Sequence, residues 1–74
     1  EFTLPGRKKS GQILGLGHSD TVYPLGTLAS MPWRVADGRL WGPGVFDMKG
    51  GVAFFVFAMK ALRELDVPVA RKVV

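Results

Sequence analysis

The sequence predicts an α/β fold, a sheet-plus-helix piece in which strand, loop, hairpin, helix and strand follow one another. Three observations predict it. Residues 12–17 (QILGLG) form an apolar, glycine-dotted run of strand length. Asp37-Gly38 sits between β-favouring flanks in WRVADGRLWG, a strong hairpin signal. Residues 52–65 hold good helix formers without a breaker, and residues 71–74 return to a strand-like composition. A strand, a helix and a second strand in that order imply a parallel pair joined by a right-handed crossover.

Each element has a local reason. Residues 1–4 (EFTL) suit a short strand, and Pro5-Gly6 and Ser10-Gly11 then bracket a basic turn at Arg7-Lys8-Lys9. Residues 12–17 are apolar on both faces, which fits the middle of a covered sheet. Gly15 and Gly17 imply close approach there by other backbone. Residues 21–31 are rich in turn formers and read as a loop. A type I′ turn at Asp37-Gly38 would put Val35 opposite Leu40 and Arg34 opposite Trp41. The second pair is a candidate cation–π contact, worth about 0.5–1 kcal/mol when exposed. Gly42-Pro43-Gly44 breaks the hairpin, and residues 47–51 lead into the helix. On that helix Phe54, Ala58, Ala61 and Leu65 form one apolar stripe, with Phe55, Met59 and Leu62 beside it. Phe57 interrupts the polar side, which points to a neighbour outside these residues. Asp66-Val67-Pro68 ends the helix. There is no internal repeat and no low-complexity segment.

Composition narrows the function classes. A chain of 74 residues allows one small domain, and 47% hydrophobic content fits a packed one. Such a chain buries only about 60% of its unfolded surface, so its core is marginal. It has no cysteine, hence no disulfide and no thiolate metal site. That leaves the compartment open, with a cytoplasmic setting slightly favoured. The chain opens at Glu1 and stops at Val74 inside an apolar run, so both ends read as cut. No signal-peptide pattern opens it. Its longest apolar run, residues 52–59, is far below the roughly 20 residues that span a membrane. The net charge of +4 is concentrated in Arg7-Lys8-Lys9 and Arg71-Lys72. That footprint is too small for a nucleic-acid reader and reads as a solvated turn. Neither a nucleic acid nor a membrane is an expected partner, and oligomeric state is left open.

Three residues could carry chemistry. His18 is the single histidine, and Asp20 lies two residues on. In an extended chain i and i+2 point to the same side, and the pair sits just past the C-terminal end of a strand, where open α/β sheets bind ligands. A neutral imidazole is a good zinc ligand, and a carboxylate on its second nitrogen sets the tautomer. An ordinary hydrogen-bonded polar pair fits the same spacing. Asp47 follows the Gly42-Pro43-Gly44 loop and precedes the helix. It reads either as a helix N-cap or first-turn acid, or as an oxygen ligand facing the same crevice as His18. Lys49-Gly50-Gly51 lacks the glycine spacing and the hydroxyl residue of a phosphate loop.

Together these residues stand in a longer string, GHSDTVYPLGTLASMPWRVADGRLWGPGVFDMKGG. It resembles the metal-binding half-signature of the M20 family of zinc carboxypeptidases, aminoacylases and deacylases, which includes succinyl-diaminopimelate desuccinylase and acetylornithine deacetylase. The match covers almost the whole chain and holds in order: His-x-Asp-x-Val after a strand, a proline-containing loop, a hairpin, Gly-x-Gly-x-x-Asp-x-Lys-Gly, then a helix. The wording is nearest to the glutamate-carboxypeptidase-like branch. The resemblance implies that residues 1–74 are the N-terminal, metal-binding part of a zinc-hydrolase catalytic domain. It implies His18 and Asp47 as metal ligands, Asp47 bridging two zinc ions. Asp20 would be the catalytic-site residue that hydrogen-bonds His18. It further implies a cis peptide after Asp47.

The implied activity is hydrolysis of an amide in a small-molecule substrate, a peptide or an N-acyl amino acid, by two metals that activate water. Cobalt or manganese could replace zinc. The family's general base, an acidic pair, and its remaining ligands would lie beyond Val74; Glu64 and Asp66 lack the context for those roles. The expectation is therefore a parent enzyme and an inactive 74-residue piece. The alternative is a non-catalytic structural or partner-binding relative of the same fold.

Overall fold

In the computed structural model, which describes residues 1–74, the outer strands of the expected crossover pair in parallel. β1 (Gln12–Ile13) lies beside β4 (Lys72–Val73), with Gln12 opposite Lys72 and Ile13 opposite Val73. The Val74 N–H donates to the Ile13 carbonyl at 2.9 Å and the Gly15 N–H to the Val74 carbonyl at 2.8 Å. Between them come the hairpin strands β2 (Arg34–Ala36) and β3 (Arg39–Trp41) and the helix α1 (Gly50–Glu64). Short strands and one helix make the α/β composition expected. They form two two-stranded sheets, β1–β4 and β2–β3. The chain divides into two compact units, Glu1–Leu16 with Ala53–Val74, and Gly17–Val52.

The first unit is organised around Val73, the single fully buried apolar side chain. The strand expected at residues 1–4 is reduced to one antiparallel bridge, Phe2 to Val73. Pro5 has no N–H to continue a ladder, and Gly6 turns the chain at φ 78°. The Phe2 ring meets Phe55 edge-on, with centroids 5.6 Å apart at 79°. The bare α-carbon of Gly15 makes room for that same Phe55 ring. What approaches Gly15 is thus a helix side chain, not the backbone that the sequence led us to expect. The covered strand over 12–17 is also corrected. Only Gln12–Ile13 join the ladder, and Leu14 and Leu16 are exposed, because β1 has one partner strand.

On α1 the covered stripe is Phe55, Met59 and Leu62, each half-buried. The stripe through Phe54, Ala58, Ala61 and Leu65 is exposed, with Phe54 at 78%. The sequence pattern names both stripes without ranking them. Phe2 and Gly15 both meet Phe55, and that decides which stripe is covered. The helix ends one residue earlier than expected. Asp66 takes φ 53°, its N–H bonds the Arg63 carbonyl at 3.2 Å, and the Val67 N–H bonds the Leu62 carbonyl at 2.9 Å. These two bonds satisfy carbonyls that the last turn leaves free, and Asp tolerates the left-handed position.

In the second unit the hairpin follows its expected register: Arg34 opposite Trp41, Val35 opposite Leu40, Ala36 opposite Arg39. Asp37 and Gly38 have φ of 52° and 69°, the paired positive values of a type I′ turn. The Arg34 guanidinium stands 4.4 Å from the Trp41 ring centroid. The loop over 21–31 contains one short 3-10 turn, Thr27–Ala29, whose amides bond Pro24 and Gly26 carbonyls.

Candidate metal centre

His18, Asp20 and Asp47 all belong to the unit Gly17–Val52, although Asp47 is distant in sequence from the other two. His18 leaves the end of the β1 run directly after Gly17. A β-carbon at Gly17 would lie 2.9 Å from Val52 Cγ2 and 3.6 Å from Met48 Cε, so a bare residue lets these side chains close on the backbone beside His18. Here too the close neighbours are side chains.

Asp20 turns back on the imidazole. Its Oδ1 is 3.1 Å from His18 Nδ1, and its main-chain oxygen is 3.3 Å from the same nitrogen. Two acceptors facing Nδ1 make it a donating nitrogen and turn Nε2 the other way. Nε2 faces Asp47 Oδ1 at 3.5 Å. Both side chains are open to solvent, His18 by 49% and Asp47 by 75%.

Asp47 is carried by a wide turn, Val45–Lys49, with φ −118° and ψ 99° at the aspartate itself. The Lys49 N–H bonds the Gly44 carbonyl at 3.0 Å, and the Gly50 N–H bonds the Val45 carbonyl. α1 starts only at Gly50 and has no acidic residue in its first turn, so the N-cap alternative for Asp47 falls away. The Asp47–Met48 peptide is cis, as the resemblance implies.

The separation of His18 and Asp47 discriminates between contacts. At 3.5 Å it exceeds the usual N–H···O range. Two ligands on one tetrahedral zinc, with bonds of about 2.0–2.2 Å, stand about 3.4 Å apart. The residues present therefore fit a divalent metal, and nitrogen-plus-oxygen ligation suits zinc, cobalt or manganese. They fit it only in part, since no cluster of three or more His, Cys, Asp or Glu side chains has the geometry to hold a metal.

Glu64 pairs with Lys60 at 3.9 Å, and Asp66 closes the helix. Two residues of the site were not singled out from sequence. Met48 reaches under Gly17, and Thr21 meets Gly44 from the loop after Asp20. Their place inside the quoted string is the signal that could have found them.

The family model described as peptidase family M20/M25/M40 matches residues 14–74. Carboxypeptidase G2 of Pseudomonas sp. (strain RS-16) is 44% identical, over 89% of this chain and 20% of its own length. Succinyl-diaminopimelate desuccinylase of Cereibacter sphaeroides (strain ATCC 17029 / ATH 2.4.9) is 48% identical, over 77% of this chain and 16% of its own length. The chain thus spans about a fifth or less of these relatives. No solved structure matches it significantly.

Proposed function

The chain belongs to peptidase family M20/M25/M40, and on that premise we propose that it is part of the catalytic domain of a metal-dependent amide hydrolase. His18 and Asp47 would be the residues of this chain that hold zinc, two ions being expected in the complete site. The observation that carries this reading is the approach of His18 Nε2 to Asp47 Oδ1 at 3.5 Å. When bound, the ions supply Lewis-acid polarisation of an amide carbonyl and lower the pKa of a water toward neutrality.

The chain's own residues prepare the place for that chemistry. Asp20 accepts from Nδ1, which turns Nε2 toward Asp47. The wide turn presents Asp47 outward. The solvent-open side leaves room for substrate and for further ligands. Catalytic zinc takes three protein ligands plus water, so a second histidine, another carboxylate and the general base would come from sequence outside these residues. The 74 residues alone would be inactive. A carboxypeptidase and a desuccinylase among the relatives support a peptide or an N-acyl amino acid as substrate.

The test uses the full-length protein that contains this sequence. Zinc content and hydrolysis of N-acyl amino acids are measured for the parent and for His18→Ala and Asp47→Ala. Each variant should lose bound metal, and kcat/KM should fall by roughly a thousandfold, the several kcal/mol that metal-assisted charge stabilisation supplies. Undiminished hydrolysis after exhaustive chelation, or by either variant, would reject the reading.

A further inference from the structure

Beyond the ligands themselves, we propose that Thr21 and Gly44 form a spacer that sets the gap between His18 and Asp47. The proposal rests on the metal-centre reading above. Thr21 stands three residues after His18, and Gly44 three residues before Asp47, so each ends one of the two loops that bear the ligands. A β-carbon at Gly44 would overlap Thr21 Cγ2 and lie 2.6 Å from Lys49 Nζ. The lysine end is flexible and can move aside. The threonine methyl sits on a short branched side chain whose Oγ1 accepts the Tyr23 N–H at 3.2 Å, so it cannot.

Gly44 is buried and has φ 72°, and its carbonyl closes the turn that presents Asp47. The methyl of one loop thus rests on the bare α-carbon of the other. Any side chain at position 44 would push the loops apart and draw Asp47 from His18. The backbone cost of a side chain at positive φ is a separate effect, and Gly26 isolates it. Gly26 has φ 87° with nothing within 4 Å of its would-be β-carbon.

The experiment compares Gly44→Ala, Gly26→Ala, Thr21→Ser and the double variant Gly44→Ala/Thr21→Ser in the full-length protein. Thr21→Ser keeps the hydroxyl and removes only the methyl. Two quantities are read: zinc affinity, and the His18 Nε2 to Asp47 Oδ1 distance in crystals of the metal-free protein. Gly44→Ala should widen the gap and weaken zinc by about tenfold, the low end for a residue that orients ligands. Gly26→Ala should leave both unchanged. The double variant should regain the gap and the affinity of Thr21→Ser alone. An unaltered gap in Gly44→Ala, or no recovery in the double variant, overturns the spacer. If the parent binds no zinc, the metal-centre reading fails while the distances still decide the spacer. Should Gly44→Ala not fold, Thr21→Ile adds bulk from the opposite loop, and a gap it leaves unchanged also overturns the spacer.

Discussion

Asp20 faces His18 Nδ1 with both its Oδ1 and its main-chain oxygen. In the proposed centre it would act through His18, as a positioning residue. Asp20→Asn should therefore weaken zinc binding of the full-length protein by roughly 10–100-fold without emptying the site, as loss of an outer partner does. A calorimetric titration equal to the parent's would contradict this. A second residue-scale consequence is electrostatic. The Lys72 ammonium, 2.9 Å from Glu1, hydrogen-bonds that carboxylate and holds its pKa below the ordinary value, with help from Arg7. A carboxylate depressed in the folded state stabilises it above the ordinary pKa. That contribution is lost as the pH falls through the lowered value. An NMR titration of Glu1 should show a lowered midpoint that returns toward the ordinary one in Lys72→Met.

At the scale of elements, what could be read from sequence was what the chain encodes locally. The hairpin came with its register because Asp37-Gly38 specifies its own turn. The helix stop came from Asp66-Val67-Pro68. The helix's covered stripe did not, because Phe2, far off in sequence, selects Phe55 over its neighbour Phe54. The length of β1 likewise depends on how many strands flank it. In the site, the i, i+2 spacing marked His18 with Asp20 and the Gly42-Pro43-Gly44 loop marked Asp47, and the resemblance then favoured the ligand reading; no local pattern announces the wide turn that holds Asp47. The assignment of the covered stripe is testable. Phe55→Ala should cost the 74-residue chain about 2 kcal/mol, less than a fully buried phenylalanine, by urea unfolding. Phe54→Ala should cost less than about 0.5 kcal/mol, as exposed substitutions do. Equal losses would contradict the assignment.

At the scale of the whole molecule, much apolar surface lies open on these residues, with Leu16, Phe46, Phe54 and Phe57 all mainly exposed. Where such side chains adjoin one another, the surface they form is one that other protein commonly covers. The relatives are about five times longer or more, which agrees with that reading. The 74-residue chain supplied with zinc should give no steady amide turnover and should bind the metal less tightly than the full-length protein. Sustained turnover by the short chain would remove the need for any outside base. The approach of His18 to Asp47 carries one more consequence. The two residues bracket a loop of roughly 30 residues, and tying such a loop at its ends removes about 3–4 kcal/mol of unfolded-chain entropy. In a sequence without cysteine, an ion shared by these two side chains would act as a releasable cross-link, and the hairpin between them would be held by the same tie that serves catalysis.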